Sequence, residues 1–228
     1  MAGDFFIPIN SNIELFCRII GEGEPVVLLH GYGQSQQVFK KWESLLSEKF
    51  KVILIDSRNH GNSTRSLQIS IPLMAKDIYE AMKWLNIGAA KFIGFSDGGN
   101  IALQLAVDYK EIVKKIVVIS GNATASGLSA ASTFAFNLYN NAGKVFAAKD
   151  LSTRKLLVDQ PNISQDGLNA ITAQALLIFG DRDIITRKHI RYLNENISGS
   201  KVIIVKNTTH FNILEKYSDY IQEIMDFL

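Results

Sequence analysis

Short apolar runs rich in β-branched residues recur along the chain at 26–29, 52–55, 92–95, 116–119, 175–179 and 202–205. Each is nearly apolar throughout, as expected for strands of a parallel sheet covered on both faces. Between them, apolar positions step by three and four: Val38, Trp42, Leu45 and Leu46, then Met74, Ile78, Met82 and Leu85, then Ile101 and Leu105. That spacing predicts helices packed by one face. Leu214, Tyr217, Ile221, Ile224 and Leu228 keep the same step and predict a closing helix. Strand and helix alternate, which argues for a doubly wound α/β sheet. Two earlier candidate strands, 5–9 and 13–20, flank the turn-forming group Asn10-Ser11-Asn12 and predict an antiparallel hairpin at one edge.

The rhythm stops over 122–172, where Ala, Ser, Asn and Gly become frequent. Phe134 with Leu138, and Val145 with Phe146, suggest one or two amphipathic helices there. A cap over the sheet's C-terminal edge is therefore expected, inserted in a core formed by 1–121 and 173–228. Phe134, Phe136, Leu138 and Phe146 are its candidate substrate contacts, with lid-to-core packing as the competing role for each. No internal repeat or low-complexity tract interrupts the chain.

Composition narrows the function classes. At 228 residues, with 47% hydrophobic and 20% charged residues and four prolines, the chain fits one globular catalytic unit. Its formal charge of +2, with no window of clustered Lys and Arg, argues against a nucleic-acid partner. The one cysteine, Cys17, lies in an alternating strand pattern and reads as a buried strand residue. The first residues lack a cationic leader, Pro8 interrupts the first apolar run, and no stretch approaches about 18 consecutive apolar residues. A soluble, cytoplasmic protein with no membrane partner is the expectation; the oligomeric state is left open.

Gly94-Phe95-Ser96-Asp97-Gly98-Gly99 directly follows a candidate strand and precedes a candidate helix. This is G-x-S-x-G in the context its chemistry needs. A serine at a sharp strand-to-helix turn has a strained backbone and tolerates only small neighbours two positions away. The turn exposes the hydroxyl, and the helix N-terminus favours negative charge developing beside it.

A serine hydroxyl needs a base to become a nucleophile. Of the four histidines, His30 and His60 lie in turns upstream of Ser96, and His189 falls in a helix expected to be exposed. His210 follows the strand at 201–205, so in a parallel sheet it emerges at the same edge as Ser96. The order Ser, Asp or Glu, His calls for an acid between them, and Asp181 and Asp183 both follow the strand at 175–179. Asp183 lies further from the strand end and has more freedom to reach across. The segment 120–124 holds no carboxylate. No histidine has metal-ligand spacing.

Together these motifs resemble the α/β-hydrolase superfamily over nearly the whole chain outside 122–172. Val27-Leu28-Leu29-His30-Gly31 is similar to its oxyanion-loop strand, and 56–63 to its D-x-R-G-H-G-x-S turn, with Asn59 where the family has glycine. Ile178-Phe179-Gly180-Asp181-Arg182-Asp183 is similar to its acid strand. The resemblance implies an α/β-hydrolase fold: a mostly parallel sheet, helices on both faces and a short cap insertion. It assigns Asp183 as the triad acid, leaves Asp181 structural, and places the oxyanion donors at the N–H groups of Tyr32 and Asp97. The Ser-Asp-Gly-Gly elbow also resembles that of small esterases of the valacyclovir-hydrolase type. The chain departs from the family in its short insertion and in 108–111, which lacks the proline often found after the elbow helix.

The expected activity is hydrolysis of a carboxylic ester or related acyl bond of a small molecule through an acyl-enzyme, with the triad Ser96, His210 and Asp183. No metal or organic cofactor is called for. Lactone hydrolysis, C–C hydrolysis and perhydrolysis could use the same triad, and a ligand-binding receptor with a vestigial triad is the alternative of another class. The Asp97 side chain has two readings: a complement to the helix N-terminus, or a carboxylate that selects a cationic substrate such as an aminoacyl ester.

Overall fold

The computed structural model describes residues 3–145, 151–154 and 156–228. Its eight strands are β1 (Gly3–Asn10), β2 (Ile13–Ile20), β3 (Glu24–Leu29), β4 (Phe50–Ile55), β5 (Ala90–Phe95), β6 (Val113–Ile119), β7 (Gln174–Arg182) and β8 (Lys201–Thr209). They form one sheet in the order β1-β2-β4-β3-β5-β6-β7-β8. β1 and β2 form the antiparallel edge hairpin, β2 also runs antiparallel to β4, and every pairing from β4 onward is parallel.

The unbroken apolar runs are explained by burial on two faces. Val27, Leu29, Ile53, Ile55, Phe92 and Val118 point into one apolar cluster. Their neighbours Val26, Leu28, Val52, Leu54, Ile93 and Val117 point into the other. This is strand alternation with both sides apolar.

Helix α1 (Lys40–Ser47) covers the second cluster through Trp42 and Leu46. Helices α2 (Ile71–Trp84) and α3 (Asp97–Asp108) cover the first. Ser70 caps α2 by accepting the Leu73 N–H, with Pro72 in its first turn.

The segment between β6 and β7 contains α4 (Ala130–Val145), α5 (Leu151–Arg154), α6 (Leu156–Asp159) and α7 (Gln165–Asn169). Two isolated bridges, Thr124 with Asn162 and Leu128 with Ile185, tie it to itself and to the loop after β7. Its last part belongs with the core: Ile163, Leu168 and Ile171 are buried in the first cluster, and α7 packs against α3 and α8 (Arg187–Asn196).

The closing helix α9 (Ile221–Phe227) is shorter than its spacing predicts. Residues 210–216 form turns instead. Side chains there take backbone partners that a helix would use: Asn212 Oδ1 accepts the Thr209 N–H and hydroxyl, and the Tyr220 hydroxyl donates to the Ile213 carbonyl. The apolar positions still pack, with Ile213, Tyr220 and Ile224 fully buried. No helix among the described residues is long and apolar enough to cross a membrane.

Candidate active site

Ser96 sits between β5 and α3 with φ +52°, the strained turn its motif requires. A Cβ on Gly98 would lie 1.9 Å from the Leu29 carbonyl oxygen, so only glycine lets the start of α3 pack this close to the end of β3. Gly31, two residues after β3, is also tightly placed: a Cβ there would stand 3.0 Å from Ser96 Cβ. The loop that carries Tyr32 thus abuts the candidate nucleophile.

That loop is closed by its own hydrogen bonds. Gln34 N–H donates to the Gly31 carbonyl, and Gly31 N–H donates back to Gln34 Oε1. His30 Nδ1–H donates to the same carbonyl at 2.8 Å, while its Nε2 accepts the Ser57 N–H at 3.0 Å. Burial, then the nearby His60, push the His30 pKa down to about 3, so the ring is a neutral structural bridge. His60 is likewise buried, held low by burial, and donates to the Arg58 carbonyl. His189 corrects the sequence expectation of an exposed helix residue: it is buried, and its Nε2 accepts the Ala123 N–H at 2.9 Å. The polar helix α8 hides it because His189 shares a face with Ile190 and Leu193.

His210 follows β8 and Asp183 follows β7, so both reach the edge from which Ser96 rises. Ser96 Oγ lies 3.1 Å from His210 Nε2, and His210 Nδ1 lies 3.0 Å from Asp183 Oδ1. A carboxylate only accepts, so Nδ1 carries a proton toward Asp183, and in the tautomer protonated there alone Nε2 accepts the serine hydroxyl. Asp183 Oδ1 also accepts the Ile185 N–H, and Oδ2 accepts the Gly180 N–H at 3.2 Å and the Ser120 hydroxyl at 2.5 Å. Burial pushes the Asp183 carboxyl up, but hydrogen bonds from His210, Ser120 and Ile185, with the charge of His210, outweigh it and hold the group below the usual carboxylate range. Asp181 accepts the Thr208 N–H at 2.9 Å, and the carboxylate bonded to His210 is that of Asp183.

Ser96, His210, Tyr32 and Asp97 line a cavity of about 460 Å³. Its other walls are largely apolar and include Leu128, Phe136, Leu156, Ile184 and Phe211. Phe136 lines this cavity. Phe134 and Leu138 do not: they are 72% and 62% exposed and line no part of this cavity. Helical geometry is the reason, since a four-residue step gives them a shared face while Ala135, Phe136 and Tyr139 turn toward the cavity. Phe146 lies outside the described residues. Tyr139, Phe211, Ser120 and Gln34 were missed, because none belongs to a motif or an apolar stripe.

Asp97 opens α3, and as its first residue leaves an N–H without a partner in the helix. Its side chain is buried: Oδ1 accepts from Asn100 Nδ2 at 3.3 Å, and Oδ2 has no hydrogen-bond partner among the described residues. Burial raises its pKa to about 6, against the opposing effects of His210 and Asn100. It is the only carboxylate lining the cavity among the described residues, and no Lys or Arg joins it there. No group of three or more His, Cys, Asp or Glu among the described residues is arranged to hold a metal ion. An open groove of about 700 Å³ elsewhere, beside Ser70, Lys76, Asp108 and Tyr109, contains none of these reactive groups.

A family model described as alpha/beta hydrolase fold matches residues 24–161. The chain is 32% identical over 114 residues to an sn-1-specific diacylglycerol lipase of Danio rerio, a match covering 49% of this chain and 36% of that protein. It is 40% identical over 89 residues to the magnesium-chelatase 30 kDa subunit of Rhodobacter capsulatus, covering 38% of this chain and 31% of that protein. The matched stretches thus span about a third of the length of these curated relatives. An esterase from Exiguobacterium antarcticum superposes with a TM-score of 0.85 at 20% identity, over 100% of this chain and 99% of the other, a likeness of fold.

Proposed function

From the premise that this chain belongs to the alpha/beta hydrolase fold family, we propose that it is a serine hydrolase cleaving a carboxylic ester or related acyl bond of a small molecule through an acyl-enzyme. The observation that carries this reading is the continuous hydrogen-bonded chain Ser96–His210–Asp183, which opens onto a mostly apolar cavity. Ser96 attacks the carbonyl as its proton passes to His210 Nε2. The oxyanion is received by the N–H groups of Tyr32 and Asp97, a type of stabilisation whose loss costs about 100-fold or more per donor. Collapse expels the alcohol, which takes the proton from Nε2, and water repeats the cycle on the acyl-enzyme. Asp183 holds the ring in the tautomer this needs.

In this reading α4 and α6 supply the lid, with Phe136 on the substrate side. The Asp97 carboxyl supports a narrower version. A buried oxygen without a partner, alone among neutral walls, suits a substrate that brings its own donor, such as the ammonium of an aminoacyl ester.

The test is pre-steady-state turnover of p-nitrophenyl esters of increasing chain length, beside aminoacyl esters, their desamino analogues and lactones. A burst of p-nitrophenol stoichiometric with enzyme is expected. Binding of these compounds without release of product would favour the receptor reading. Preference for aminoacyl over desamino esters that is lost in Asp97→Asn would support the narrower version, and an unchanged preference would return Asp97 to a structural role.

A further inference from the structure

Among the described residues, five besides glycine have φ in the left-handed region: Asn59, Asn86, Asn207, Ser96 and Ser120. Asparagine visits that region readily because its short amide bonds to the local backbone, whereas serine gains no such relief. Two serines therefore hold a backbone state their side chains do not favour. One is the candidate nucleophile. The other, Ser120, directly follows β6 with φ +52°, the value at Ser96.

The two occupy equivalent places on neighbouring strands. Ser96 N–H donates to the Ile119 carbonyl and Ser120 N–H to the Ile178 carbonyl, each at 2.8 Å. Ser120 is fully buried and does not line the cavity, so it meets no substrate. A glycine would adopt this turn without strain, and Gly121 stands beside it. What serine adds is a hydroxyl, and that hydroxyl donates to Asp183 Oδ2 at 2.5 Å.

We propose that Ser120 is a positioning residue, whose hydroxyl clamps the outer oxygen of Asp183 so that the inner oxygen stays aimed, as an anion, at His210 Nδ1–H. This rests on the triad reading above. Without the clamp, Oδ2 keeps the Gly180 N–H at 3.2 Å as its remaining donor. Water cannot readily replace the hydroxyl, because the Asp183 side chain is 1% exposed. A buried carboxylate that loses a donor takes up a proton more readily. While still ionised, it places more of its charge on the oxygen facing the ring. Both changes move the acidic limb of activity toward higher pH.

Two variants separate the hydroxyl from the backbone. Ser120→Ala removes the hydroxyl and keeps the strained turn, whereas Ser120→Gly removes the hydroxyl and relieves the turn. Both are expected to lower kcat about 10-fold with KM little changed, the size of one lost bond to a charged group. Both should also move the acidic limb of kcat/KM up by about one pH unit. Carboxyl-carbon NMR should show Asp183 titrating at higher pH in both variants, a readout that needs no turnover. The proposal is overturned if Asp183 titrates as in the parent in both, or if Ser120→Gly matches the parent while Ser120→Ala alone is impaired, which would make the effect one of backbone strain. If the parent turns over no ester, the hydrolase reading fails, and the Asp183 titration still decides the role of Ser120.

Discussion

The loops that follow β5 to β8 and the helix α4 line the same cavity, yet they are held in different ways. Ser96, Ser120, Asp183 and His210 each follow directly on a strand of a parallel sheet, and hydrogen bonds join them from Ser96 to Ser120 through His210 and Asp183. Helix α4 offers Ala135, Phe136 and Tyr139 to the cavity while Phe134 and Leu138 face out, an arrangement set by the rotation of one helix about its axis. Chemistry written into strand ends should respond to substitution in an all-or-none way, and a wall written on one helix face should respond by degrees.

The largest effect is expected at the strand ends. Ser96→Ala and His210→Ala should each lower kcat by up to about a million-fold, with the double variant no worse than either, because such groups act as a unit. Additive losses in the double variant would break the comparison. Asp183→Asn should cost about 10,000-fold by favouring the wrong imidazole tautomer, against a few-fold for Asp181→Asn. Steady-state kinetics of the pair tests this, and the reverse order would move the role to Asp181.

On α4 the effects should be smaller and sided. Phe136→Ala is expected to shift chain-length preference several-fold while leaving reactivity toward a small probe intact. Phe134→Ala, on the outward face, should leave the preference where it was. Equal effects from the two would mean that α4 presents a different face to substrate.

Asp97 links the two regions, since it starts the elbow helix and lines the cavity. Its pKa is raised to about 6 by burial. The folded state therefore holds the proton more tightly than the unfolded chain does. Its contribution to stability is complete below about pH 4 and is lost as pH rises through about 6. Asp97→Asn should accordingly raise Tm by a few degrees at pH 8 and leave it nearly unchanged at pH 4. A gain of equal size at both pH values would detach the effect from ionisation.

Much of this was legible in the sequence, for identifiable reasons. Nearly unbroken apolar runs located the six strands from β3 to β8, and two shorter apolar stretches flanking Asn10-Ser11-Asn12 located the edge hairpin of β1 and β2. Local sterics single out the elbow and strand order singles out His210, so Ser96 and His210 could be named as candidates, whereas strand order left Asp181 and Asp183 both open and the family resemblance chose Asp183. Ser120 was hidden because its hydrogen bond reaches a neighbour 63 residues away and its backbone angle usually marks Gly or Asn. Phe134 and Leu138 were misjudged because spacing defines a stripe on a helix, not the direction in which the stripe points. His189 was misjudged because a helix rich in Arg, Lys and Asn still buries one face. The closing helix was overestimated because turns can satisfy the same apolar spacing.

The reactivity of Ser96 tests the central claim most directly. The folded protein would be treated with a fluorophosphonate at neutral pH, and the modified peptide located by mass spectrometry. One adduct per chain on Ser96 is expected, absent in Ser96→Ala and strongly slowed in His210→Ala. A folded chain that takes no label at Ser96, or that labels equally well without His210, would contradict the assignment of Ser96 as an activated nucleophile.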